Sequence, residues 1–308
     1  MTTAYLAAED HESTLAEELR RAGVAVGATH GRLFISEDEP VEAAWAVNTW
    51  FNAVSLPIGS IGDAAKQLRA RQRSWALYAP IHRGRASLIA EKLPPLSSHP
   101  LRLGDLAPTS PLGSWTLLEP DLMLAAERCS SPFPNGEPPL AELKEGPPNR
   151  AYRKLWEAFV VLGRYPAAGD RAVDLGASPG GWTWLLAELG CRVAAVDKAP
   201  LDHAVAGLDR VEQLQTSAFG LSPSDVHGGR PPAWVVADIA CYPERLFPLI
   251  ERWTALDPPP TLIFTVKYQN PTDHQVTDRF RSLPGARLVH LHHNKHELTL
   301  LLEGSVTV

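Results

Sequence analysis

The sequence predicts two unlike halves: a doubly wound α/β sheet in the C-terminal half, preceded by a smaller α+β domain. Three observations carry this. From Arg171 onward, short apolar runs alternate with segments of helical spacing, the pattern of a sheet covered by helices on both faces. Several of those runs end at a charged residue, as strands do when their tips reach the rim of such a sheet. Prolines crowd into SSPFPNGEPP and GPPN between Cys129 and Asn149, too densely for regular structure. The division is therefore an α+β domain over residues 1–128, a proline-rich strap over 129–149, and the sheet domain over 150–308.

At 308 residues and 44% apolar content the chain has room for two modest domains with proper cores. A net charge of −6 gives no general attraction to nucleic acid, so any surface for it must be local. The N-terminus carries Glu9, Asp10, Glu12, Glu17 and Glu18, without a basic-then-apolar leader, and no apolar run approaches membrane-spanning length. A cytoplasmic protein that makes no membrane contact is expected. Cys129, Cys191 and Cys241 are odd in number and far apart, which indicates neither a disulfide framework nor a zinc site.

In the first half, Thr3 to Ala8 alternates as a short strand, and Thr14-x-x-Glu17 reads as a capping box for a helix through Arg21, closed by Gly23. Val24 to Thr29 and Arg32 to Ile35 flank His30-Gly31 as a hairpin. Asp63 to Gln72 is helical, and Trp75 to Ala79 and Ser87 to Ala90 read as strands. Leu93 to Leu112 is rich in Pro and Ser, and Ser114 to Arg128 is two strands reversing at Glu119-Pro120-Asp121. Between Asp63 and Glu91 no acidic residue occurs, while Lys66, Arg69, Arg71, Arg73, Arg83 and Arg85 supply six positive charges with Trp75 and Tyr78 among them. Such a surface suits a phosphate backbone and exposed bases; a solvated helix face with Trp75 in the core is the plain alternative.

The second half opens with a helix, Arg150 to Val161, with Leu155, Phe159 and Leu162 on one face. Asp170 to Leu201 then reads as strand, glycine turn, helix and second strand. Arg171 to Leu175 contains Asp174; Gly176, Ala177, Ser178, Pro179, Gly180 and Gly181 make the turn; Trp182 to Leu189 continues at helical spacing; Cys191 to Val196 ends in Asp197. Glycines let backbone approach a ligand, a helix N-terminus offers N–H groups, and a carboxylate on the second strand tip suits ribose hydroxyls. Ser178 and Pro179 break the dinucleotide fingerprint and disfavour a pyrophosphate. An adenosine ligand without phosphates remains, and S-adenosylmethionine is the obvious one.

Trp234 to Ala237 leads to Asp238, Leu262 to Val266 to Lys267, and Arg287 to Leu291 precedes Leu298 to Leu302 with Glu297 just before it; helices from about Pro243 to Ala255 and Asp273 to Leu283 intervene. Asp174, Asp197, Asp238 and Lys267 should share the carboxyl rim, and an antiparallel last strand would bring Glu297 there too. Lys154 can reach in from the preceding helix, completing a Lys, Asp, Lys, Glu cluster around a cofactor's methyl group. Trp182 and Trp184 suit helix and core packing. His290, His292, His293 and His296 look like a metal cluster, but strand alternation puts neighbours on opposite faces and no Cys joins them, so no metal is expected.

DLGASPGGW resembles the cofactor turn of the FtsJ-like RNA ribose 2′-O-methyltransferases, and that family's Lys-Asp-Lys-Glu tetrad falls on Lys154, Asp238, Lys267 and Glu297. NRAYRKLWEAF, SSPFPNG, VVAD and KHELTLLL are similar to the branch of the family that acts on large-subunit ribosomal RNA, over about Ser131 to Leu302. The resemblance implies a Rossmann-like sheet, S-adenosylmethionine as cofactor, RNA as partner and an N-terminal RNA-binding region, here an abbreviated THUMP-like one. It also implies that Ser217 stands where an acid often contacts the adenine, and that Asp238 serves cofactor as well as catalysis. Lys267 would take the proton of a ribose hydroxyl or only orient it. A free lysine has a pKa of about 10.4, and one positive neighbour at about 4 Å is worth about 4 kcal/mol at an effective dielectric of about 20. Two other readings stay open: a methyltransferase acting on a hydroxyl of a small molecule or protein, and a non-catalytic RNA-binding or assembly module that has kept the fold.

Overall fold

The computed structural model describes residues 1–96, 99–143 and 145–304; Ser97, Ser98 and Lys144, in the proline-rich stretches noted above, and 305–308 lie outside the described residues. The chain divides into two units, Met1–Leu101 with Ala107–Pro139 and Arg102–Leu106 with Leu140–Val308. The strap is thus shared between them at 139–140.

The first unit is one mixed sheet with helices. Its elements are β1 (Thr2–Ala7), α1 (Glu12–Arg21), β2 (Val26–His30), β3 (Leu33–Ser36), β4 (Ala46–Pro57), α2 (Ile61–Arg71), β5 (Trp75–Leu77), α3 (Arg83–Ala90), β6 (Gly113–Glu119), β7 (Leu122–Ala126) and the short β8 (Arg128–Cys129). The strands lie in the order β2-β3-β1-β4-β7-β6-β5, with β8 paired to β4. Two expectations fail here. The capping box does not form: α1 starts at Glu12 after His11, Thr14 lies inside the helix, and Glu17 instead pairs with Arg20 at 2.7 Å. Ser87 to Ala90 is the end of helix α3, whose buried Ala86 and Ile89 keep helical spacing against a core that includes Leu68 of α2 and Trp115.

The second unit carries α4 (Tyr152–Leu162), β9 (Arg171–Leu175), α5 (Gly181–Glu188), β10 (Arg192–Val196), α6 (His203–Ala206), β11 (Val211–Leu214), β12 (Trp234–Ala237), α7 (Leu246–Thr254), β13 (Thr261–Lys267), α8 (His274–Arg281), β14 (Ala286–Val289) and β15 (Glu297–Leu302). The order is β11-β10-β9-β12-β13-β15-β14. β9 to β13 pair in parallel and β15 runs antiparallel to β13 and β14. The central strands are buried along their length, as a sheet covered on both faces requires. Strand order reverses between β9 and β12, and in such sheets the crevice at that point receives the ligand. Antiparallel β15 brings its first residue to the same rim as the last residues of the parallel strands.

Candidate active site

The turn after β9 is built by backbone that a side chain would obstruct. Gly176 and Gly180 have φ of 78° and 118°, values that glycine reaches at little cost. A Cβ on Gly176 would lie 2.8 Å from Ile239 Cγ1, and one on Gly180 3.0 Å from Val205 Cγ1. One side of the turn is stitched to the end of β10: the N–H groups of Gly176 and Ala177 donate to the Val196 carbonyl at 2.8 and 3.2 Å. Ser178 donates its N–H to Asp197 Oδ2 at 3.1 Å and its hydroxyl to the Pro200 carbonyl at 2.8 Å. Asp202 donates its N–H to the carbonyl of the exposed Pro179 at 2.9 Å. Asp197 also accepts from the Ala199 N–H at 2.9 Å, so each carboxylate oxygen holds one protein hydrogen bond and keeps one lone pair.

Two of the expected residues turn inward. Asp174 is 1% exposed, and Thr183 Oγ1 donates to its Oδ2 at 2.6 Å. Burial pushes the Asp174 carboxyl up to about 7, against the opposing effect of the Thr183 bonds. Trp182 is 4% exposed and donates its Nε1–H to the Ala151 carbonyl at 2.8 Å, while buried Trp184 meets Tyr152 edge-on. Trp182 therefore joins α5 to the start of α4 instead of offering a free ring. Ser217 lies just beyond β11, in a turn closed by the Gly220 N–H on its carbonyl at 3.1 Å.

Lys154, Asp238, Lys267 and Glu297 come together. Lys267 and Glu297 are direct partners in the antiparallel register of β13 and β15, and Asp238 follows β12, whose Ala237 pairs with Phe264. Lys154 projects from the first turn of α4. Its Nζ lies 2.6 Å from Glu297 Oε1 and 3.2 Å from Asp238 Oδ2. Lys267 Nζ lies 2.9 Å from Asp238 Oδ1 and 3.1 Å from the Asp238 carbonyl oxygen. Burial would raise the Asp238 carboxyl, but the charges of Lys154 and Lys267 and their hydrogen bonds outweigh it and hold it below the ordinary carboxylate range. Two positive and two negative groups cancel. The side chains of Lys154 and Glu297 are 12% and 8% exposed and that of Asp238 18%, against 26% for Lys267, the most solvent-exposed of the four.

Sequence reasoning missed three residues around this cluster. Asn149 fills the space that a Cβ on Gly181 would occupy and accepts from the Ala151 N–H at 2.9 Å. Thr183 satisfies Asp174, and Glu157 holds the turn before Glu297. Asn149 and Glu157 stand inside NRAYRKLWEAF, the signal that could have found them. The histidines go separate ways: His293 to Glu157, His296 to Thr272 and His290 to the Lys295 carbonyl. Among the described residues no three potential metal-ligating side chains are gathered.

The basic residues belong to the first unit. Lys66, Arg69, Arg73 and Arg83 are exposed; Arg69 donates to the Lys92 carbonyl at 2.6 Å and Arg83 to that of Ala79 at 3.2 Å. Arg71 pairs with Glu127 at 3.0 Å, and Arg85 is half-buried. Trp75 is 4% exposed with its Nε1–H on the Leu68 carbonyl, and the Tyr78 hydroxyl accepts from the Arg32 N–H at 2.6 Å. Trp75 is core, so the basic face does not use it to stack bases.

The family model described as FtsJ-like methyltransferase matches residues 148–293. The chain is 35% identical over 191 residues to the ribosomal RNA large subunit methyltransferase M of Thauera aminoaromatica, covering 57% of this chain and 50% of that one. To the proteins of the same name from Azoarcus and Methylococcus capsulatus it is 34% and 35% identical, covering 57% and 56% of this chain and 51% and 52% of theirs. The chain spans about half the length of the curated relatives it matches. No helix among the described residues is long and apolar enough to cross a membrane.

Proposed function

We propose that the chain, whose residues 148–293 match the FtsJ-like methyltransferase family model, methylates a ribose 2′-hydroxyl in RNA, with large-subunit ribosomal RNA as substrate. The observation that carries this reading is the gathering of Lys154, Asp238, Lys267 and Glu297 beside the strand-order reversal. The name of the relatives supports the choice of RNA, and that substrate implies a cytoplasmic workplace.

S-adenosylmethionine fits the residues present: glycine at 176 and 180 lets the backbone turn sharply at positive φ beside the strand-order reversal, packed against Ile239 and Val205, and Asp197 keeps lone pairs for ribose hydroxyls. We assign the cofactor to that turn, to Asp197, to the Ser217 and Ala218 backbone for the adenine, and to the neighbourhood of Asp238. Bound there, it supplies a sulfonium methyl group that an oxygen nucleophile can take. The protein's task is then alignment and removal of one proton.

Lys267 is suited to that task by its hydrogen bonds. Both of its acceptors, Oδ1 and the carbonyl oxygen, belong to Asp238. A neutral amine has two N–H groups, enough for those two acceptors, and the third tetrahedral direction carries its lone pair. A ribose hydroxyl in that direction would give its proton to Nζ, while the cofactor would supply the methyl group and its sulfur would keep the electron pair of the broken S–C bond. Lys154 sits between both acids and fixes Asp238. The exposed Lys66, Arg69, Arg73 and Arg83 supply the grip on RNA, through phosphates rather than stacked bases.

Lys267→Ala tests the core of this. Methyl transfer to RNA, followed with isotope-labelled cofactor, falls by about a thousandfold or more while cofactor affinity stays within about twofold. A variant of near wild-type rate removes Lys267 from the mechanism. Mapping 2′-O-methyl groups in RNA from cells with and without the protein identifies the nucleotide, and an unchanged map refutes the substrate assignment.

A further inference from the structure

Glu157 lies on α4, three residues after Lys154, and is 2% exposed. A buried carboxylate is costly unless hydrogen-bonded, and here the bonds converge on one turn. Oε1 accepts the His292 N–H at 2.6 Å; Oε2 accepts the His293 N–H at 3.0 Å and lies 2.7 Å from His293 Nδ1. That turn links β14 to β15, and four residues beyond it Glu297 meets Lys154 at 2.6 Å. The hairpin is braced from within as well. His290 Nε2 bonds the Lys295 carbonyl at 2.9 Å, and Asn294 Nδ2 donates to the Glu297 carbonyl at 3.2 Å and to Thr299 Oγ1 at 3.1 Å. On another side His296 Nε2 bonds Thr272 Oγ1 at 2.8 Å. One helix thus holds one hairpin at two points, Lys154 on Glu297 and Glu157 on the His292–His293 turn. The pairing of β15 with β13 fixes the strand in the sheet, and the two attachments fix how α4 lies against the strand's first residue and the turn before it.

We propose that Glu157 is a positioning residue: it clamps the His292–His293 turn to α4 and thereby sets the distance at which Glu297 meets Lys154. The inference rests on the tetrad reading above. Glu157→Gln turns one acceptor oxygen into a donor facing N–H groups, and His293→Ala deletes only the ring contact.

The experiment uses the full purified chain, with methyl transfer to RNA, cofactor binding by calorimetry and crystal structures of the variants. In Glu157→Gln, kcat falls about a hundredfold, the loss expected of a displacement of about 1 Å, while the KM for RNA and the cofactor affinity change by less than about twofold. His293→Ala gives a smaller loss of the same kind. In a Glu297→Gln background Glu157→Gln costs nothing further, because both changes break one device. Equal loss in both backgrounds, or a change confined to KM, overturns the proposal. So does a crystal structure of Glu157→Gln in which the Lys154 to Glu297 pair keeps its 2.6 Å. Should Glu157→Gln not fold, His293→Ala carries the same comparisons. If the wild-type chain transfers no methyl group to RNA, the functional reading fails by itself, and the Lys154 to Glu297 distance in the variant crystals alone decides the positioning role.

Discussion

Asp174 makes the stability of this fold depend on pH in a direction opposite to that of most carboxylates. It sits inside the sheet domain at 1% exposure, with Thr183 as its hydrogen-bond donor, and burial raises its pKa from 3.8 to about 7. A pKa raised in the folded state adds stability that is full below the unfolded value near 3.8 and is lost as pH rises through about 7. Between pH 5 and pH 8 the group gives up roughly two pK units, or about 3 kcal/mol at 1.36 kcal/mol per unit. Asp174→Asn has the same shape, can accept from Thr183 and does not titrate. Urea unfolding of both proteins at pH 5, 6, 7 and 8 isolates the effect, because every other group titrates alike in the two. The stability of the wild type relative to Asp174→Asn should fall by about 3 kcal/mol across the series, most steeply between pH 5 and pH 6 and levelling off above pH 7. A difference constant to within about 0.5 kcal/mol means that the buried carboxyl stays ionised, and the reasoning from burial is then wrong.

Gly176→Ala forces a Cβ to within 2.8 Å of Ile239 at a φ of 78°; cofactor affinity measured by calorimetry should drop at least about tenfold, and full affinity would show that the turn is not the cradle. Reversing Lys66, Arg69 and Arg73 to Glu should weaken RNA binding and reduce the slope of log affinity against log salt by about 0.7 to 0.9 for each phosphate that is no longer neutralised. Cofactor affinity should not change, and an unchanged affinity for RNA returns these charges to the role of a solvated face.

What is legible in the sequence is what repeats a simple period. β9, β10, β12 and β13 are short apolar runs with a charged residue at or near the tip, and the antiparallel β15 brings Glu297 to the rim as the order of the runs implies. β4 carries no such signal. It is 12 residues long, yet Asn52 at φ 53° sits where its pairing with β1 shifts register, so the alternation of inward side chains slips midway. Ser87 to Ala90 reads as a strand because four apolar-leaning residues fit a strand or a helical turn equally, and the deciding period begins at Arg83. The site shows the same limit. Charges at strand tips announce themselves, whereas Glu157 and Asn149 act through partners more than a hundred and about thirty residues away, which neither strand alternation nor helical spacing encodes and only the stretch NRAYRKLWEAF marks.

The two lysines of the rim are alike in charge but not in setting, and the difference separates integrity from chemistry. Lys154, at 12% exposure, touches both acids. Removing one member of a buried ion pair strands the others, at a cost of about 3–5 kcal/mol. Lys267, at 26% exposure, makes its side-chain bonds to Asp238, which keeps its contact with Lys154 when Lys267 is lost, so removing Lys267 should cost the fold less than removing Lys154. On the proposed function, the most exposed member of this electrically balanced cluster is the one that meets the ribose hydroxyl. Glu157 completes the logic from beneath, since a balance set by contacts of 2.6 to 3.2 Å survives only if the helix and hairpin that bear them cannot slide.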